Sequence, residues 1–88
     1  MAWKIEYSRT ARKQLWELDL QKARNVLAFG DDLAKQENPR DMGKALSGPM
    51  GTLWSYRLGG IRLICDLQDD LARIQVLRLG EFKEGDNG

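Results

Sequence analysis

The sequence predicts an α+β domain of order β-α-α-β-β-β, with a mostly antiparallel sheet and a helical hairpin packed on one of its faces. Three observations carry this. The apolar residues recur with period two before Ser8, with helical spacing after it, and with period two again from Leu53. Gly59-Gly60 sits between two β-prone runs, where a primed two-residue turn needs positive φ and glycine supplies it cheaply. Pairing the strands around that turn sorts their residues into one apolar face and one mixed face.

Each element follows from its residues. Trp3, Ile5 and Tyr7 alternate with Lys4 and Glu6, as in a short strand with one buried face. Ser8 is suited to cap the helix that follows, in which Ala11, Leu15 and Leu18 fall at i, i+4 and i+7 over roughly 11 residues. Arg9, Arg12 and Lys13 then point mostly outward. After a break near Asp19, Ala23, Val26, Leu27, Gly30, Leu33 and Ala34 form one stripe of a second helix, which Asn38-Pro39 stops. So short a joint favours an antiparallel hairpin.

Residues 39–52 hold both prolines and three of the nine glycines and read as a loop. Strands are expected over 53–58, 61–67 and 71–79, the last two joined by a two-residue turn at Asp69-Asp70. That turn sets Asp66 opposite Arg73 and Cys65 opposite Ile74. One face collects Trp54, Tyr56, Leu58, Ile61, Leu63, Cys65, Leu67, Ala72, Ile74 and Val76 and should pack on the helices. The other collects Leu53, Ser55, Arg57, Arg62, Ile64, Asp66, Arg73, Gln75 and Leu77, leaving Leu53, Ile64 and Leu77 as exposed apolar residues.

Composition narrows the function classes. Eighty-eight residues suit one domain with a small core. The net charge of +1 hides a regional asymmetry: residues 1–24 carry six basic and three acidic side chains, while residues 81–88 carry one and three. With no histidine and a single cysteine, neither a zinc site nor an internal disulfide is expected, and no cofactor is implied. No stretch has the apolar length of a membrane span or the pattern of a secretory signal, so the expected location is the cytoplasm.

The hairpin carries the chemistry. Its two-residue turn sets Arg57 directly opposite Arg62, and like charges so placed repel. One reading is a solvated pair whose long side chains splay apart. The other is a phosphate site, in which two guanidiniums offer forked donors to anionic oxygens and the ligand relieves their repulsion. Ser55 on the same strand face and Lys44 in the preceding loop favour the second. Trp54 and Tyr56 read as core anchors and Cys65 as a small buried hydrophobe. Asp69-Asp70 reads as a turn rather than a cation site, and Trp16 fits a core flank and an exposed contact equally.

These residues resemble the RelE/ParE superfamily of toxins from type II toxin–antitoxin systems, in its RelE/StbE branch, over about residues 2–80. The matching stretches are "YSRTARKQLWELD", "NPRDMGKALSGPMGTLWSYRLGGIRLICDLQDD" and "RIQVLRLG". The resemblance implies a microbial-ribonuclease-like sheet whose exposed face enters the ribosomal A site and cleaves messenger RNA without a metal. It implies Arg57, Arg62 and Lys83 as catalytic residues, Lys44, Ser55, Arg57, Arg62 and Arg73 as RNA contacts, and a cognate antitoxin as partner in a hetero-oligomer. It also implies a toxin domain over 1–80, with an atypical, acidic and flexible tail over 81–88. Ser55 stands where many relatives are basic. Phe82 and Asp86 stand where the branch carries a catalytic arginine and a tyrosine, which implies weakened catalysis. A gyrase-inhibiting toxin of the ParE kind and a non-catalytic antitoxin-binding module are the alternatives.

Overall fold

The computed structural model describes residues 2–46 and 53–82. In chain order the elements are β1 (Lys4–Tyr7), α1 (Arg9–Glu17), α2 (Leu20–Ala34), a 3-10 turn (Pro39–Met42), β2 (Lys44–Ala45), β3 (Leu53–Leu58), β4 (Ile61–Gln68), a second 3-10 turn (Asp69–Leu71) and β5 (Arg73–Glu81). They form one five-stranded sheet in the order β1-β5-β4-β3-β2. All neighbours are antiparallel except β1, which runs parallel to β5 at one edge. The expected order is present, with a two-residue strand β2 added inside the stretch read as loop.

The helices supply Ala11, Val26 and Leu33 to a core shared with Tyr56, Leu63, Cys65, Leu67, Ile74 and Val76 of the sheet. Phe29 meets the Tyr56 ring edge-on, with centroids 5.9 Å apart. Tyr56 is fully buried, and its hydroxyl donates to the Pro39 carbonyl oxygen at 2.9 Å. Trp54 is half-buried and donates through Nε1 to the Arg40 carbonyl oxygen at 2.9 Å. Both aromatics are thus the core anchors expected, and they also tie down the Pro39–Met42 turn. Cys65 is buried, which pushes its thiol up to about 12 and leaves it protonated and inert at neutral pH.

Three sequence-based expectations need correction. The turn after β4 is not two residues long. It spans Asp69 to Ala72, because Ala72 adopts a left-handed conformation (φ 48°) and donates its N–H to the Asp69 carbonyl oxygen. Cys65 therefore faces Val76 and Asp66 faces Gln75, a shift of two that preserves which face each side chain occupies. Secondly, Leu27 lies outside the core and is 42% exposed, while Phe29 packs against it.

The third correction concerns a β-bulge. Cys65 pairs with Val76 but Ile64 pairs with Arg78, so Leu77 has no partner on β4. Beyond this point the alternation of β5 reverses, sending Leu79 into the core and Arg78 to the opposite face. Leu53 and Leu77 are half-buried and Ile64 buried, not the three exposed apolar residues expected.

The start of α1 holds the bulge in place. Ser8 Oγ donates to the Leu77 carbonyl oxygen (2.7 Å) and accepts from Ala11 N–H (3.0 Å), so one hydroxyl both caps α1 and anchors the bulge. Ser8 N–H donates to the Val76 carbonyl oxygen, and Gln14 Oε1 accepts from Leu79 N–H at 2.7 Å. These bonds replace the ladder that β1 stops supplying after Tyr7.

Two substitutions test this packing. Ser8→Ala removes the cap and the anchor together, and should cost about 1–2 kcal/mol in chemical denaturation. Gly30→Ala would drive a Cβ into the Tyr7 hydroxyl and to within 3.0 Å of Ile5 Cδ1. It should lower the melting temperature, whereas an alanine at Gly80, where nothing lies within reach, should not.

Candidate nucleic-acid interface

Strand pairing places the basic residues in rows on the face away from the helices. Lys44 faces Ser55, Ser55 faces Ile64 and Ile64 faces Arg78, so one row crosses four strands. The next row sets Arg57 against Arg62 and Arg62 against Gly80. Residues directly opposite in a sheet share a face, so these rows form one surface. A shallow cleft of about 490 Å³ runs along it, lined by Asp41, Lys44, Ser55, Arg57 and Arg62 among others. Four of the residues singled out in the sequence are thereby gathered at one place.

Both arginines lie against one aromatic ring. The Arg57 and Arg62 guanidinium carbons lie 4.6 and 5.1 Å from the centroid of the Phe82 ring. Arg57 is exposed and Arg62 half-buried, and the Arg62 Nε has no hydrogen-bond acceptor among the described residues. A buried donor without a partner is costly. A second cleft, of about 260 Å³, lies on the far side of Arg62 and is lined by Ile64, Arg78, Gly80, Glu81 and Phe82. Glu81 is drawn towards Lys22, with Nζ 2.7 Å from its carboxylate.

Arg73 is not brought to this site. It lies at the opposite end of the sheet, where it donates to Gln68 Oε1 at 2.7 Å and pairs with Glu6 at 3.4 Å. Lys83 and Asp86 lie outside the described residues. Of two further residues at the interface, Arg78 was not found in the sequence, and Phe82 was read there only as the loss of a catalytic arginine. Arg78 reaches this face only because the bulge reverses the alternation. Phe82 follows a boundary expected at residue 80, yet β5 runs on through Glu81, and Phe82 N–H donates to the Gly60 carbonyl oxygen at 2.9 Å.

One wall of the first cleft is the segment that follows Arg40. That guanidinium grips Asp69 through two bonds, of 3.0 and 2.6 Å, and lies 5.6 Å from the Trp54 ring centroid. The Arg40 hydrogen bond holds the Asp69 carboxyl below its ordinary value. Among the described residues, no three His, Cys, Asp or Glu side chains converge as a metal site would require.

No protein-family model matches the chain, and no curated protein is significantly similar to it in sequence. Solved structures are similar throughout its length. The crystal structure of the RelBE2 toxin–antitoxin complex from Mycobacterium tuberculosis matches with a TM-score of 0.84 and 25% identity, over 93% of each chain. The archaeal RelE–RelB complex from Pyrococcus horikoshii matches with a TM-score of 0.78 and 26% identity, over 97% of this chain and all of that one. The chain is a RelE-like superfamily member. The isolated Escherichia coli RelE toxin, at 16% identity and a TM-score of 0.73, shares the RelE-like fold over 97% of this chain and 89% of its own.

In this RelE-like domain the Arg40–Asp69 pair makes the cleft wall sensitive to acid. A carboxyl whose pKa is depressed on folding contributes stability above its unfolded pKa and loses it as the pH falls through the folded value. Asp69→Asn should therefore lower the melting temperature at neutral pH. The gap to wild type should close as the pH is brought below the ordinary carboxylate range.

Proposed function

We propose that the chain is the toxin of a type II toxin–antitoxin pair, and that it is a metal-independent endoribonuclease that cleaves messenger RNA in the ribosomal A site. The observation that carries this reading is the cleft that joins Lys44, Ser55, Arg57 and Arg62 on the exposed face of a RelE-like sheet. In such a reaction the ribose 2′-hydroxyl gives up its proton and attacks the adjacent phosphorus, a 2′,3′-cyclic phosphate forms as the bond to the 5′-oxygen breaks, and a proton must reach the leaving oxygen. Arg57 and Arg62 supply positive charge and donors to the phosphorane as its charge grows. Their high pKa makes them poor proton donors, so proton transfer falls to other groups, Lys83 being one candidate. Phe82 and Asp86 replace the arginine and tyrosine of the branch, and catalysis is accordingly slow.

The partner is a cognate antitoxin protein. The deposition of apolar surface on the helices supports a protein partner: Trp16 is 88% exposed and Leu20 67%. Together with Leu15, Leu18, Ala23 and Leu27 they line a groove of about 360 Å³.

Mapping of messenger ends on translating ribosomes tests the reading. The chain should cut slowly, and Arg62→Ala should reduce cutting by a further factor on the order of 10² with little change in melting temperature. Inhibition of gyrase supercoiling without any cutting would overturn the nuclease reading in favour of the ParE-like one.

A further inference from the structure

The contact of Phe82 with both arginines goes beyond that reading. We infer that Phe82 is the positioning residue of the anion site: its ring holds the Arg57 and Arg62 guanidiniums together so that both address one phosphodiester of single-stranded RNA. The inference rests on the RNA-binding part of the proposed function.

The starting point is a conflict built into the hairpin. Gly59-Gly60 fixes the register, and the register sets Arg57 opposite Arg62. Two flexible cations so placed would separate into solvent, and a ligand would then have to restrict both before using either. A ring within 5.1 Å of both changes this, because its negative π face attracts each cation. The attraction uses the aromatic face and consumes none of the guanidinium N–H donors, so those that are accessible can meet phosphate oxygens.

The ring is itself held. Phe82 N–H donates to the Gly60 carbonyl oxygen, so the same turn that opposes the arginines also fixes the backbone of the residue that gathers them. Opposite Arg62 the partner on β5 is Gly80, where a Cβ would meet nothing within 4 Å. The space beside Arg62 is thus open to a ligand.

The test is fluorescence anisotropy of a labelled single-stranded RNA of about ten nucleotides, titrated with the full-length chain at several salt concentrations. Phe82→Leu retains apolar bulk without the ring, and should weaken binding about three- to tenfold. Phe82→Trp, with the stronger π face, should bind at least as tightly as wild type. Arg57→Ala should weaken binding and flatten the salt dependence by roughly one phosphate contact. If Arg57→Ala weakens binding and Phe82→Leu matches wild type, Phe82 has no positioning role. If Phe82→Trp is as weak as Phe82→Leu, the ring acts by packing alone and the inference is overturned. If Arg57→Ala leaves both affinity and salt dependence unchanged, the RNA reading of the face fails, and this inference fails with it. Melting temperatures of all three variants separate lost contacts from lost fold.

Discussion

The bulge at Leu77 is the constraint on which the exposed face depends. A regular β5 would keep a single alternation from Arg73 to Glu81, and Arg78 would then share a side with the core. One extra residue lets the first half of the strand bury Ile74 and Val76 and the second half bury Leu79, while Arg78 turns to the basic face. An insertion of this kind leaves backbone groups without ladder partners, and α1 meets that need with Ser8 and Gln14. The helix start and the sheet irregularity are therefore one feature. The side chain that caps the helix is also the one that holds the strand out of register.

The charge arrangement follows the same economy. An arginine pair opposed across a hairpin is unfavourable in isolation, and nearby polar groups relieve it only weakly in water. Phe82 offsets the repulsion by offering a π face to both cations, at an energy comparable to that of the repulsion itself. Arg40 is treated in a parallel way, between the Trp54 ring and the Asp69 carboxylate. In both places an aromatic ring orients a guanidinium whose donors face elsewhere. The difference is that Arg40 spends its donors on Asp69, whereas Arg62 keeps one buried donor unpaired among the described residues.

The two surfaces of the domain thus differ in kind. The sheet face is basic, cleft and polar, suited to an anionic ligand whose binding falls with salt. The helical side carries an apolar groove in which Trp16 and Leu20 stand largely exposed. Bare apolar surface on so small a domain is a liability unless something covers it, which fits a chain that spends part of its life in a complex. The groove and the clefts have no lining residue in common, so a partner on the helices and an anion on the sheet draw on different side chains.

By itself the sequence determined the element order, the hairpin, the opposition of Arg57 and Arg62, and the separation into two faces. All of these are local: period, turn chemistry and the residue before a proline act within a few positions of the chain. The face sets survived a wrong turn length because a shift of two leaves every side chain on its side of the sheet. What the tertiary structure decided was whatever depended on contacts distant in sequence. The bulge is fixed by Ser8 and Gln14, more than sixty positions from the backbone they bind, and no pattern within β5 announces it. Arg78 was missed for that reason, because alternation was extended through the bulge, and Phe82 was read only as a lost arginine because the strand was ended too soon. Arg73 was placed correctly on the face but not at the site. Position along a strand decides distance from the cleft, and alternation is blind to it.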